Sequence, residues 1–243
     1  PLPEDEAGRI HPSAVASLKD SAGRFSAVLV GCGLGWSEGT VRFVQEFLLD
    51  GPSIGSGNEL GNEPGNEQTN KPANEPGSAW PVIIDADGLN NLSQSPDWWR
   101  RLVHPAVVTP HPGEMATLTG GSASGIQDDR VALAREWAAR WGVAVTLKGA
   151  YTVVAEPGGL VRVSPFANPG LASGGTGDVL SGIIVGLMSQ GLDPARAGAC
   201  GVYLHGRAGD KAVERRGNAG TIASDLVELL PETILEIKGS PGA

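Results

Sequence analysis

Apolar residues fall in short blocks along this chain, and the blocks alternate between two periods. Ala27-Val28-Leu29-Val30, Val82-Ile83-Ile84, Val107-Val108-Thr109 and Val143 to Leu147 are apolar runs of strand length, the pattern of strands buried on both faces. Stretches with helical spacing lie between them. Ser37 is placed to cap a helix with Val41, Val44 and Leu48 on one face. A second helix is predicted from about Asp128 to Trp141, stopped by Gly142, with Val131, Ala134, Trp137, Ala138 and Trp141 inward. Tyr151 to Glu156 and Leu160 to Val163 read as a hairpin about Pro157-Gly158-Gly159. Val179 to Met188 is apolar nearly all round and predicts a central buried helix. Asp193-Pro194 is an N-cap followed by proline at the first helical position, opening a long Ala/Gly-rich helix toward Glu214. A last helical stretch surrounds Ser224 to Leu230, and Pro231 interrupts it. Strands alternating with helices predict an α/β fold, a mostly parallel central sheet with helices on both faces.

Two segments break this rhythm. Pro1 to Ser26 is polar and mixed. Gly51 to Ser78 repeats Gly-Asn-Glu-Pro-like tetrads with almost nothing apolar, so burial cannot offset its ordering entropy. It reads as a disordered insertion, at about 51–79, in a single domain covering 1–243. The partner-binding alternative lacks an apolar anchor.

Composition narrows the function. A net charge of −9 argues against nucleic acid. Cys32 and Cys200 lie far apart with no CxxC, giving neither a disulfide framework nor a metal site and fitting a reducing, cytoplasmic setting. No apolar run reaches membrane-spanning length.

The richest stretch is Asn168-Pro169-Gly170-Leu171-Ala172-Ser173-Gly174-Gly175-Thr176-Gly177-Asp178, followed at once by the apolar helix. Loop glycines turn backbone N–H groups inward, and a helix start adds unpaired N–H groups and the positive end of a dipole. Together they suit a phosphate. Asp178 would repel that anion if binding were its only task. It makes sense as a base that takes a proton from a hydroxyl beside a phosphoryl group.

Other polar residues collect at four strand ends: Gly31 to Gly35, Asp85 to Asn90, Thr109 to Glu114, and Lys148 to Thr152. In an open parallel sheet these ends share one rim with the Asp178 helix start, where ligands bind. Each also has a plain reading. Gly31, Gly33 and Gly35 can be a tight turn. Asp85 and Asp87 can cap a helix, Asp87 more so. His111, between two prolines, has little room and points to ligand contact. Glu114 can simply favour a helix N-terminus, and Lys148 can be a surface cation or meet an anion. His11, His104 and His205 have no catalytic company and read as structural or exposed. The six tryptophans read as core or interface, with Trp98-Trp99 nearest a surface.

Taken together, Val30 to Gly35, Asp85 to Asn90, Thr109 to Glu114, Lys148 to Thr152 and Asn168 to Leu180 resemble the ADP/ATP-dependent NAD(P)H-hydrate dehydratase family in content and order. The resemblance implies a ribokinase-like fold and repair of hydrated NADH and NADPH. It implies that Gly35, His111, Pro112, Gly113, Glu114, Met115, Ala116 and Thr117 contact the hydrated dinucleotide. Lys148, Gly149, Ala150, Tyr151, Thr152 and Asn168 to Gly177 (Asn168, Pro169, Gly170, Leu171, Ala172, Ser173, Gly174, Gly175, Thr176, Gly177) would hold the adenine nucleotide. Asp178 would sit at the substrate as the base. ADP or ATP is the implied co-substrate, ADP being usual in bacterial members, with Mg2+ accompanying it and no dedicated protein cage. A homotetramer, and fusion to or cooperation with an NAD(P)H-hydrate epimerase, are implied too. Family members usually begin with a further strand and Ala-rich helix that Pro1 to Ser26 does not resemble, so an N-terminally truncated chain of weak or no activity is expected. A ribokinase-like small-molecule kinase and a non-catalytic nucleotide-binding remnant are the competing readings.

Overall fold

The computed structural model describes residues 1–50 and 79–239. The insertion expected at 51–79 falls almost wholly outside them. Six strands form one sheet in the order β1-β2-β3-β4-β5-β6: Val28–Val30, Val82–Ile84, Ala106–Val108, Ala144–Leu147, Val153–Ala155 and Val161–Val163. The first four are parallel, and the final two add an antiparallel hairpin.

Side-chain alternation splits the core into two layers. Val82, Ile84, Val108 and Val145 face one layer; Ile83, Val107 and Ala144 face the other. The first layer is covered by α1 (Ala14–Asp20), α2 (Glu38–Leu48), α3 (Asp87–Leu92), α4 (Pro112–Thr119), α5 (Ala123–Asp128) and α6 (Arg130–Trp141). The second is covered by α7 (Thr176–Ser189) and α8 (Pro194–Arg216), with α9 (Ala223–Gly239) packed outside them. The glycines of α8 make close packing possible: a Cβ at Gly201 would lie 2.5 Å from Ile184 Cγ1.

Several expectations are refined. Pro1 to Ser26, polar in aggregate, holds α1, whose Ala14 and Val15 are buried. Ser37 caps α2 as expected, accepting from the Thr40 N–H at 3.0 Å. The α2 core face is Phe43, Val44, Phe47 and Leu48; Val41 sits at its margin. Asp128 closes α5, and Asp129 caps α6. Val131 is exposed and Trp137 half-buried, because α6 buries one narrow stripe: Ala134, Ala138 and Trp141. Trp98 is fully buried against Trp141 and Trp99. The helix α7 is not buried all round; Leu180, Ser181, Ile184 and Met188 form its inward face. Pro231 does not end α9, because buried Leu226, Leu229 and Thr233 hold both sides of it in place.

Candidate active site

The carboxyl ends of β1 to β4 open onto one rim, and each following helix starts there. Gly31 sits at φ +143°, and a Cβ on it would lie 1.7 Å from the Asp85 carbonyl oxygen. Only a glycine lets the loop after β1 cross so near the end of β2. That loop is fixed further on: Asp87 accepts from the Gly35 N–H at 2.8 Å, and the Asn91 side chain donates to the Gly35 carbonyl at 3.0 Å. Asp87 therefore ties two loops together instead of capping its own helix.

Asp85 is not a cap either. It is 1% exposed and accepts from Lys148 Nζ at 2.7 Å, Ser181 Oγ at 2.6 Å and Cys32 Sγ at 3.8 Å. A buried carboxylate needs such partners. Lys148 is thus no solvated surface cation; it also lies 3.7 Å from Glu114. Cys32, Asp85 and Asp178 bring a thiol and two carboxylates within 4.8 Å of one another. Burial, with the neighbouring carboxylates Asp178 and Asp85, pushes the Cys32 thiol up to about 12, so it stays protonated.

His111 caps α4. Its Nδ1 accepts from the Gly113 N–H at 2.9 Å and the Glu114 N–H at 3.1 Å, while Glu114 accepts from the His111 N–H at 2.7 Å. This reciprocal capping box fixes the ring with its proton on Nε2. Met115, grouped with the site by resemblance, is fully buried and packs in the core, and Ala116 is buried too, so those two side chains stabilise the helix behind the site. Gly113, exposed Thr117 and Gly35 stay at the rim.

A cavity of about 560 Å³ opens beside these residues. His111, Pro112, Lys148, Gly149, Ala150 and Thr152 line one side. Asn168, Pro169, Leu171, Ala172, Ser173, Thr176 and Gly177 line the other. Tyr151, at φ +54° and exposed, points outside that lining. Gly170 is buried under α8, where a Cβ would lie 2.5 Å from Val213. Gly174 and Gly175 are exposed where the loop turns into α7. The N–H groups of Gly177 and Asp178 donate to no acceptor among the described residues.

Three contributors went unread in the sequence, and a fourth was read only as structural or exposed. Arg130, at the start of α6, donates to the carbonyls of Leu147 at 2.8 Å, Lys148 at 3.0 Å and Ala150, which sets the Lys148–Ala150 loop. Ser181 holds Asp85. Asp210 accepts from the Asn168 side chain at 3.1 Å. His205, read as structural or exposed, is buried, lines the cavity and donates to the Thr176 carbonyl at 2.9 Å. Each acts on a partner remote along the chain, so no local motif announces the contact.

A family profile described as NAD(P)H-hydrate dehydratase matches residues 53–232. The chain belongs to that family. It is 38% identical over 237 residues to the bifunctional NAD(P)H-hydrate repair enzyme of Moorella thermoacetica, covering 98% of this chain and 40% of that protein. It is 36% identical over 151 residues to the ADP-dependent (S)-NAD(P)H-hydrate dehydratase of Bacillus subtilis, covering 62% of this chain and 53% of that one. The structure of the ADP/ATP-dependent NAD(P)H-hydrate dehydratase from Bacillus subtilis, co-crystallised with ATP/Mg2+, superposes with a TM-score of 0.68 at 28% identity, covering 93% of this chain and 75% of that chain. The ribokinase-like fold extends to a superfamily protein from Enterococcus faecalis at a TM-score of 0.68 and 22% identity. The chain spans 30% to 40% of the length of the bifunctional relatives from Moorella, Thermofilum and Salinibacter. Among the described residues no helix is long and apolar enough to cross a membrane.

Proposed function

We propose that this chain is a dehydratase domain, spanning 1–243, that converts hydrated NADH and NADPH back to NADH and NADPH, coupled to hydrolysis of ADP or ATP. The observation that carries the reading is Asp178: it stands at an uncapped helix start, against the Asp85–Lys148 pair, beside a cavity walled by the glycine-rich loop.

The adenine nucleotide occupies that cavity, with its terminal phosphate at the Gly177 and Asp178 amides and the positive end of α7. Lys148 adds positive charge; a Cβ on Gly177 would lie 3.6 Å from its Nζ. The hydrated dinucleotide approaches past Gly35, His111 and Thr117. Its ring hydroxyl is a poor leaving group. Asp178 takes the hydroxyl proton as that oxygen attacks the terminal phosphorus, and the bond from that phosphorus to the bridging oxygen breaks. The neighbouring ring nitrogen then expels phosphate, and loss of a proton from the adjacent carbon restores the double bond. The amides and Lys148 stabilise the phosphoryl charge throughout.

The donor set fits a magnesium ion carried on the nucleotide. Hard Mg2+ takes oxygen ligands, often one or two carboxylates plus phosphates. Here Asp85 is engaged by Lys148 and Cys32 offers sulfur, so Asp178 is the carboxylate that would hold the ion. Bound there, the ion would neutralise phosphate charge.

The same reading makes the protein a cytoplasmic homo-oligomer that works with an NAD(P)H-hydrate epimerase; relatives named bifunctional repair enzymes support the last point. The test incubates the chain with hydrated NADH and ADP or ATP. Recovery of reduced-nicotinamide absorbance with stoichiometric phosphate release is expected. A stable phosphorylated product would make it a kinase, and no nucleotide-dependent change would refute the dehydratase.

A further inference from the structure

A second hollow, of about 490 Å³, opens on the same rim at its β1 end, between the N-terminal segment and the start of α2. It is lined by Asp5, Arg9, His11, Trp36, Glu38 and Arg42, among others. Trp36 is 64% exposed although four of the other tryptophans stack in a cluster in the core. An indole left in water at the mouth of a cavity loses the burial that normally accounts for a tryptophan. Its backbone is nevertheless fixed, because Asp87 and Asn91 hold both polar groups of the preceding Gly35. Arg9 is bound by Asp5 at 2.9 Å, and His11 bonds Ser13. Arg42 forms no ion pair with the described residues. The hollow therefore presents an exposed aromatic face on a fixed stretch of backbone and, beside the Asp5 and Glu38 carboxylates, a guanidinium with no ion pair among the described residues.

The sheet order places the two cavities on opposite sides of the reacting groups. The larger one lies toward β4 to β6, this one at β1, and Asp85 at the end of β2 lies between them, with Cys32 and Asp178 within 4.8 Å of it. Neighbouring strands are about 4.8 Å apart, so β1 and β4 are separated by roughly 14 Å. A dinucleotide whose reactive ring sits at Asp178 must lay its other half somewhere along that rim, and the co-substrate already claims the β4 side. We infer that the Trp36 hollow holds the non-reacting nucleotide of the hydrated dinucleotide. Trp36 stacks on its adenine, and Arg42 meets one of its phosphates. The ligand's identity rests on the dehydratase reading; the stacking surface and open guanidinium do not.

The test uses the intact chain and its Trp36→Ala, Trp36→Phe and Arg42→Ala variants, with folding checked by thermal melting. NADP+, a stable probe, is titrated by calorimetry, and steady-state turnover of hydrated NADPH is followed in parallel. Trp36→Ala is expected to weaken NADP+ binding and raise KM for the hydrated dinucleotide about tenfold, leaving kcat and KM for ADP unchanged. Trp36→Phe, which keeps a ring to stack, should recover most of that loss, and Arg42→Ala should weaken NADP+ several-fold. Unchanged NADP+ affinity in Trp36→Ala, or a rise in KM for ADP instead, would overturn the inference. If hydrated NADPH is not turned over by the unsubstituted chain while NADP+ still binds in a Trp36-dependent way, the subsite stands and the dehydratase reading falls.

Discussion

Two helices begin on the same rim, each with an acid at its third position, and they treat their first turns in opposite ways. In α4 the amides of Gly113 and Glu114 are both taken by His111 Nδ1, and the Glu114 carboxylate folds back onto the His111 N–H. In α7 the equivalent amides, of Gly177 and Asp178, have no partner among the described residues. The cap position there is Gly175, which has no side chain and sits at φ +84°. Asp178 is consequently free of the capping geometry that absorbs Glu114. One helix start is closed onto itself; the other leaves its first amides open. An N-terminus is available to an anion when its own sequence leaves its amides unsatisfied.

The largest expected effect tests the open end. Asp178→Asn keeps size and exposure but removes the proposed base, so turnover of hydrated NADH should fall about 10²- to 10⁴-fold with ADP affinity nearly unchanged. A variant as fast as the parent would break the contrast, since the free acid at α7 would then matter no more than the folded-back acid at α4.

Next comes the charge pair beneath it. Lys148→Met strands the Asp85 carboxylate, leaving Ser181 and Cys32 as its partners. Breaking a buried pair in this way costs about 3 kcal/mol, read as a lower urea midpoint. The double variant Lys148→Met/Asp85→Asn should regain much of that stability while activity stays low. A single variant with an unshifted midpoint would show the pair to be solvent-screened and its part in fixing the centre minor.

The open end was legible in the sequence and the buried support was not. Asn168 to Asp178 stands out because glycines, a helix start and an acid adjoin along the chain, and the strand-end loops follow from the apolar runs before them. Arg130, Ser181, Asp210 and His205 act across folded space, on partners far along the chain that no local pattern announces. The same holds for the expected site residues that moved into the core: Met115 lies four residues beyond the cap, where one turn of helix carries the side chain from the rim to the interior. Position on a helix, which depends on how the helix is laid against the sheet, decides such cases.

His205 gives a pH test of the open loop. Burial holds its imidazole down at about 4, against an ordinary value of 6.5. The unfolded chain therefore takes up the proton first as pH falls. The stability His205 confers is complete above about 6.5 and is lost progressively as pH drops toward 4. Between pH 7 and pH 5 the loss is about 2 kcal/mol, at roughly 1.4 kcal/mol per unit below 6.5. His205→Gln cannot titrate there, so its urea midpoint should fall less over the same interval. Equal slopes would mean that His205 is solvated and does not brace Thr176 at the mouth of the glycine-rich loop.

The smallest effect probes the closed end, where stability and chemistry can be separated at one residue. His111→Ala removes the acceptor for two amides and should cost about 1 kcal/mol, the usual value of an N-cap. His111→Asn supplies a side-chain oxygen at the same position, so its melting temperature should stay near that of the parent. Both variants lose the imidazole, whose ring is half-exposed at the cavity rim. If His111 also meets the dinucleotide, KM for hydrated NADH rises in both, although one of them is fully stable. If KM follows stability instead, rising in the alanine variant and recovering with asparagine, then His111 serves α4 alone, and the closed helix start is wall and nothing more.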